Sequence, residues 1–197
     1  MKLQTWFPTP IWYDDLVNFD DVVVDLIAEK WITFSEKNTN NSIKISNVGG
    51  WQSFSLNLSD CDEQEKKLFE IIKENIEIVT SQYSMKVQIK FDNWWVNING
   101  NLDYNIGHKH PGAILSGIFY LKVPDSDPGN LIFHRQHDDF HLQSYTKGNN
   151  ELTYTRTIYP PVKKRLIVFP AWLEHSVERN MSNQKRISIS FNCVQAE

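Results

Sequence analysis

Cysteine is nearly missing from this chain of 197 residues: only Cys61 and Cys193 occur, far apart. Two thiols cannot build a disulfide framework, so a reducing compartment is the simpler reading. A surplus of positive charge is missing too. Twenty Lys and Arg stand against 24 Asp and Glu, a formal net charge of −4. No basic stripe appears, which speaks against a general nucleic-acid binder. No apolar run is long enough to span a bilayer. The start, Met1 to Pro8, has no apolar stretch of signal-peptide length. The expectation is a soluble, cytoplasmic protein with neither nucleic acid nor membrane as partner; a homo-oligomer is left open. Internal repeats and low-complexity segments are absent as well. With 41% hydrophobic and 22% charged residues, the composition excludes intrinsic disorder. Aromatics reach 13%, seven of them Trp, which calls for a large buried core or a recessed pocket.

The hydrophobic period changes once along the chain. Residues 1–17 read as extended, because Pro8 and Pro10 forbid a helix there. Asp20 can cap a helix running to about Lys37, with Val23, Ile27, Trp31 and Phe34 on one face. A polar loop, Asn38 to Asn47, leads through Gly49-Gly50-Trp51-Gln52-Ser53 to a short alternating stretch, Phe54, Leu56, Leu58. A second helix is expected from Ser59 or Asp60, with Asp60 and Glu63 as a capping box, to about Gln82. Leu68, Ile72, Ile76 and Val79 mark its buried face; Glu65, Lys66, Lys67, Lys73 and Glu74 mark its wet one. From Lys86 onward the alternation is two-residue, in seven or eight short strands with turns at Pro128-Gly129 and Pro160-Pro161. No helical pattern is interleaved, so the sheet is antiparallel, a sandwich or barrel. The expected architecture is one domain over 1–197. Two helices in an N-terminal extension (1–85) cover a β core (86–197).

All six histidines lie in the β half. His108 and His110, two apart on a strand, point to the same face. Imidazole is the commonest metal-ligating side chain, so such a pair can grip one ion. A surface or hydrogen-bonded pair is the plainer alternative. Sixty-five residues after His110, Phe169-Pro170-Ala171-Trp172-Leu173-Glu174 ends in His175, a strand and Pro turn able to bring a third ligand across a barrel. Eleven residues later comes Arg186, sharing a face with Ser188. A guanidinium and a hydroxyl on one strand suit a carboxylate, which Arg binds in bidentate fashion; a surface ion pair is the bland alternative. His134, His137 and His141 sit in what reads as a polar loop facing solvent or substrate, where Arg135 could meet an anion. Trp94, Trp95 and Trp172 read as core.

This β half resembles the Fe(II)/2-oxoglutarate-dependent oxygenases. Their order is His-x-Asp/Glu at a strand end, a distal His, then an Arg or Lys, with an Arg-x-Ser variant matched by Arg186-x-Ser188. Nearly the whole chain is similar to a bacterial and phage subfamily of these oxygenases. The similar segments are Phe7-Pro8-Thr9-Pro10-Ile11-Trp12, Gly49-Gly50-Trp51-Gln52-Ser53, His108-x-His110-Pro111, Ser116-Gly117-x-x-Tyr120, and Phe169-Pro170 to Asn192. The resemblance implies a mainly β fold with N-terminal helices, a double-stranded β-helix (jelly roll, cupin-like). It also implies a dioxygenase that hydroxylates a small molecule or a protein side chain and releases succinate and CO2. Fe(II) would sit on His108, His110 and His175. The co-substrate, 2-oxoglutarate, would reach Arg186 and Ser188 with help from Asn97, Ser116 or Tyr120.

His110 departs from the family pattern, which has a carboxylate there. Three readings stand: His110 is itself a ligand, the one taken here; His110 is the first ligand, with Gly112 and a water in the carboxylate's place; or Asp127 or Asp138 arrives from a loop. The rival functions are a cupin-type metalloenzyme that does not use 2-oxoglutarate and a non-catalytic jelly-roll binding module. The loops from Asp125 to Thr153 are expected to choose the substrate.

Overall fold

The computed structural model describes residues 1–5, 7–136, 147–148, 150 and 152–196. The first helix, α1 (Asp21–Lys37), begins where expected: the Asp20 carboxylate accepts the Val22 N–H at 2.8 Å. The second, α2 (Glu63–Gln82), starts later than the Asp60–Glu63 box suggested. Its cap is Asp62, which accepts from the N–H groups of Gln64 and Glu65, while Glu65 reaches back to the Asp62 N–H at 2.9 Å. Asp60 serves a separate short 3-10 turn, accepting the Asn57 N–H. Glu65 is also not on the wet face. It is fully buried, with its carboxylate 2.7 Å from Trp31 Nε1 and 2.8 Å from Lys30 Nζ. The capping bend folds this carboxylate inward, and two donors offset its lost hydration.

Among the described residues, eleven strands form two antiparallel sheets. The larger runs, in spatial order, β1 (Trp12–Asp15), β9 (Arg165–Pro170), β6 (Leu115–Lys122), β11 (Arg186–Gln195), β4 (Ile89–Asn99) and β3 (Trp51–Gln52). The smaller runs β2 (Asn47–Val48), β5 (Tyr104–His108), β10 (His175–Val177), β7 (Leu131–His134) and β8 (Arg156–Tyr159). From β4 onward successive described strands alternate between the sheets, except that β7 and β8 pair with each other in the smaller one, and this alternation makes the double-stranded β-helix. The stretch Phe54, Leu56, Leu58 forms no strand, only an isolated bridge from Leu56 to Trp94.

The two faces of the larger sheet differ. Ile187, Ile189, Phe191 and Cys193 of β11, with Trp94, Val96 and Ile98 of β4, pack against the apolar faces of α1 and α2. The other face looks into the barrel, where Ile118, Tyr120, Ile167 and Phe169 meet Leu131 and Phe133 of the smaller sheet. On β4 and β11 this inner face carries Trp95, Asn97, Asn99, Arg186, Ser188 and Ser190 instead of aliphatics. Alternation with period two is all that is needed to build both faces. Both cysteines are buried free thiols. Among the described residues no helix is long and apolar enough to cross a membrane.

Candidate metal centre

Three histidines converge at one end of the barrel. His108 closes β5 and His175 opens β10, and the two are register partners in adjacent antiparallel strands. His110 lies past the end of β5, not on the strand as its spacing suggested. Its N–H donates to Ala171 O at 3.0 Å, and the Ala171 N–H donates to Ile114 O at 3.0 Å. The loop after β5 and the Pro turn after β9 therefore lock each other. Ring centroids are 4.3 Å apart for His108 and His175, 5.2 Å for His108 and His110, and 5.0 Å for His110 and His175. One nitrogen from each ring lies within 4.8 Å of the others. Among the described residues no carboxylate joins this group: Asp127 lies elsewhere, and Asp138 falls outside the described residues, as do His137 and His141.

The tautomers follow from the partners. His108 Nδ1 faces Ile106 O at 2.8 Å, His175 Nδ1 faces Leu173 O at 3.0 Å, and His110 Nδ1 faces Asn192 Oδ1 at 2.7 Å. A carbonyl oxygen only accepts, so each Nδ1 carries the proton and each Nε2 a lone pair. The Nε2 atoms of His110 and His175 face each other at 3.3 Å. Two lone pairs cannot hydrogen-bond to one another; a cation between them satisfies both. Burial keeps the rings neutral. It holds His108 below the ordinary imidazole value and pulls His110 to about 4 and His175 to about 3; at His110 and His175 repulsion from neighbouring ring charges adds to this. Neutral imidazoles with lone pairs converging on one point, each oriented through its other nitrogen, fit a transition-metal ion. Trp95, expected in the core, instead stacks on His110 at 5.5 Å and 27° and lines the cavity. Trp94 is core, and Trp172 is 48% exposed.

Arg186 lines the same cavity and is only 2% exposed. Its Nη1 donates to Pro128 O, to Gly129 O at 3.1 Å and to Glu178 O at 3.4 Å. Gly129 has φ +74, and a Cβ there would stand 2.5 Å from the Glu178 and Arg179 carbonyl oxygens, so the turn that anchors Arg186 requires glycine. Arg186 Nη2 has no partner, and neither do Tyr120 OH and Asn97 Oδ1. These three are the buried side-chain N and O atoms without a partner among the described residues. Burial pushes the Tyr120 phenol to about 12, so its proton stays available to donate. A buried guanidinium with one nitrogen left unpartnered is costly alone and suits an anion such as a carboxylate.

Of the remaining sequence-derived candidates, Ser188 and Asn97 line the cavity and Ser116 does not: its hydroxyl donates to Asn192 Oδ1 at 2.8 Å. His134 lies on β7, not in a loop, 2.8 Å from Ser176 Oγ. Arg135 Nη1 donates to Leu152 O at 2.8 Å. Asn192 and Trp95 were missed as site residues. Carrying the Arg186–Ser188 alternation two steps further along β11 reaches Asn192.

Residues 93–192, just over half of the chain, match the family model described as "Putative 2OG-Fe(II) oxygenase". No curated protein matches by sequence. Among solved structures, a prolyl-4-hydroxylase from Pseudomonas putida is similar over 96% of this chain and 94% of its own, with TM-score 0.70 and 12% identity. A prolyl hydroxylase from Trichoplax adhaerens, in complex with a hypoxia inducible factor peptide, is similar over 93% and 83%, with TM-score 0.67 and 12% identity. The viral collagen prolyl hydroxylase of Paramecium Bursaria Chlorella virus-1, solved as a 2OG complex, is similar over 95% and 96%, with TM-score 0.62 and 16% identity. Those likenesses carry the fold; the family match carries the chemistry, and by it this chain belongs to the 2OG-Fe(II) oxygenases, enzymes that use Fe(II) and 2-oxoglutarate.

Proposed function

We propose that His108, His110 and His175 hold Fe(II), that Arg186 and Tyr120 hold the far carboxylate of 2-oxoglutarate, and that the protein hydroxylates a small molecule or a peptide side chain. The observation that carries this reading is one cavity with two complementary ends: three imidazole lone pairs at one, and Arg186, whose Nη2 is unpartnered, toward the other, with the unpartnered Tyr120 OH buried behind the lining. Bound together, iron and 2-oxoglutarate supply the oxidising power, with dioxygen converting the co-substrate to succinate and CO2 while one oxygen atom enters a substrate C–H bond.

The chain's own residues orient and shield. Ile106 O, Leu173 O and Asn192 Oδ1 keep the three Nδ1 protons in place, so the Nε2 lone pairs stay aimed inward. Trp95 and Phe169 pack on the rings of His110 and His175 and keep water off them. Arg186, anchored through Nη1 on the Pro128–Gly129 turn, presents Nη2 without needing to reorganise. Asn97 Nδ2 bonds Ser190 Oγ at 3.2 Å. A half-turn of that amide keeps the Ser190 bond and offers Nδ2 to a carboxylate. Ser188 adds a hydroxyl on the same strand face, whereas Ser116 acts on Asn192.

Three histidines carry no charge, so a divalent ion there keeps its full attraction for a dianionic co-substrate. A peptide-bound prolyl hydroxylase of the same fold supports a peptide as one substrate class. We further infer that residues 1–197 act as one domain, because the helices of 1–85 share a core cluster with β4, β6, β9 and β11 of 86–197. The two free thiols favour a reducing compartment such as the cytoplasm. Anaerobic titration with Fe(II) and then 2-oxoglutarate, followed through the visible charge-transfer band, tests the site. A band that needs both components, with succinate formed on admitting air, is expected. Iron binding without any response to 2-oxoglutarate would overturn the reading.

A further inference from the structure

The three imidazoles are not held alike. His108 and His175 each donate from Nδ1 to the main-chain carbonyl two residues earlier, Ile106 O and Leu173 O. No side-chain substitution removes those acceptors. His110 has no such local partner. Its Nδ1 donates to a side chain 82 positions away, Asn192 Oδ1, at 2.7 Å.

Asn192 is itself held on every polar atom. Oδ1 also accepts the Ser116 hydroxyl at 2.8 Å, and Nδ2 donates to Asn93 Oδ1 at 3.0 Å. The row is cross-strand: Asn192 on β11 is in register with Ser116 on β6 and with Asn93 on β4. Three adjacent strands therefore fix which way the amide points. With Oδ1 toward His110, the ring must carry its proton on Nδ1 and turn the Nε2 lone pair to His175, whose Nε2 is 3.3 Å away. Without an acceptor there, the ring has no reason to prefer this tautomer, and a proton on Nε2 blocks metal binding. His110 also sits beyond the end of β5, so strand pairing does not fix its backbone as it fixes His108.

Building on the three-histidine reading, we infer that Asn192 is the positioning residue for His110: it selects the imidazole tautomer that can ligate metal, and as a neutral amide it adds no negative charge to the centre. Its partners Ser116 and Asn93 set its own orientation.

The test uses the full-length protein and Co(II) or Mn(II), so turnover is not needed. Asn192→Ala should weaken metal binding about 10- to 100-fold, the usual cost of removing the partner of a ligating histidine. In a His110→Ala background the same change should cost nothing further, whereas a merely structural role would cost the same in both. Asn192→Asp, nearly isosteric, should keep metal affinity at least at the wild-type level but weaken 2-oxoglutarate binding to the metal-loaded protein several-fold, because an added carboxylate repels the dianion. Imidazole 15N NMR of the metal-free wild type should show His110 with its proton on Nδ1, a readout that needs no variant to fold. A proton on Nε2, or metal affinity in folded Asn192→Ala within twofold of wild type while His110→Ala loses metal, would overturn the assignment of Asn192. Unchanged metal affinity in His110→Ala would instead overturn the three-histidine reading on which it rests.

Discussion

The two faces of β11 are built from the same ten residues of backbone and do opposite work. Ile187, Ile189, Phe191 and Cys193 are wholly buried against the helices and β4. Arg186, Ser188, Ser190 and Asn192 alternate with them and turn polar groups into the barrel. The first face is ordinary core, where stability is spread over many contacts. The second is expensive to maintain, with an unpaired guanidinium nitrogen in it. A fold tolerates that second face because the first holds the strand in place. Stability and function should therefore separate cleanly between odd and even positions.

The sharpest break of this comparison is at the histidines. His175→Ala should abolish measurable Fe(II) binding, as should His108→Ala, while thermal melting of the metal-free protein changes little. Metal content after anaerobic loading and desalting is the measurement. Full occupancy in either variant would remove that residue from the ligand set.

Next in size is the opposite face. Phe191→Ala should cost about 3–5 kcal/mol of stability by urea unfolding, the range for deleting a buried aromatic ring. Co(II) affinity of the folded fraction should stay unchanged. A large change in metal affinity would show that the two faces are not separable.

Arg186→Ala should weaken 2-oxoglutarate binding by about two orders of magnitude, since charge-assisted hydrogen bonds contribute roughly 1.5–3 kcal/mol each and a decade is about 1.4 kcal/mol. Iron binding should barely move. Arg186→Lys should fall between, keeping the charge without the fork. Unaltered 2-oxoglutarate affinity in Arg186→Ala would take Arg186 out of the co-substrate site.

The smallest difference between a variant and wild type is expected in the pH dependence of stability. His110 and His175 have folded pKa values of about 4 and about 3, both below the ordinary value. Below about pH 6.5 the unfolded chain takes up protons that the folded chain refuses. The contribution of these two histidines to the stability of the metal-free protein should thus be flat above that pH and fall as pH drops toward 4, by at most about 1.4 kcal/mol per pH unit per histidine. Urea midpoints of wild type and His110→Gln between pH 7 and 5 check this: the variant should fall less steeply. Saturating Mn(II) should raise the wild-type curve without changing its slope over this range, because it binds only the folded form, whose histidines are already neutral.

What could be read along the chain is whatever depends on near neighbours. Period-two alternation predicted the strands from 86 onward, and an apolar stripe predicted both helix faces. The order His108, His175, Arg186 was legible because it follows the family's pattern, whereas His110 stands where that pattern has a carboxylate. The capping box lies two residues beyond the Asp60–Glu63 pair because Asp60 and Asp62 both offer a cap, and only packing of α2 chooses between them. Glu65 looked wet for the same reason: its partners Trp31 and Lys30 come from another helix. Likewise, nothing local distinguishes Trp95 from Trp94, or tells whether Ser116 serves the co-substrate or another side chain.

Tertiary structure decided those points. Alternation says that two residues face opposite ways, but not which face is covered by helices and which encloses the cavity. That depends on which strands become neighbours. Only the order β6-β11-β4 sets Ser116, Asn192 and Asn93 in one row and brings Asn192 to His110, across 82 positions of chain. The residue types that can hold a metal were written in the sequence; the contact from Asn192 to His110 Nδ1 forms only when three strands pair.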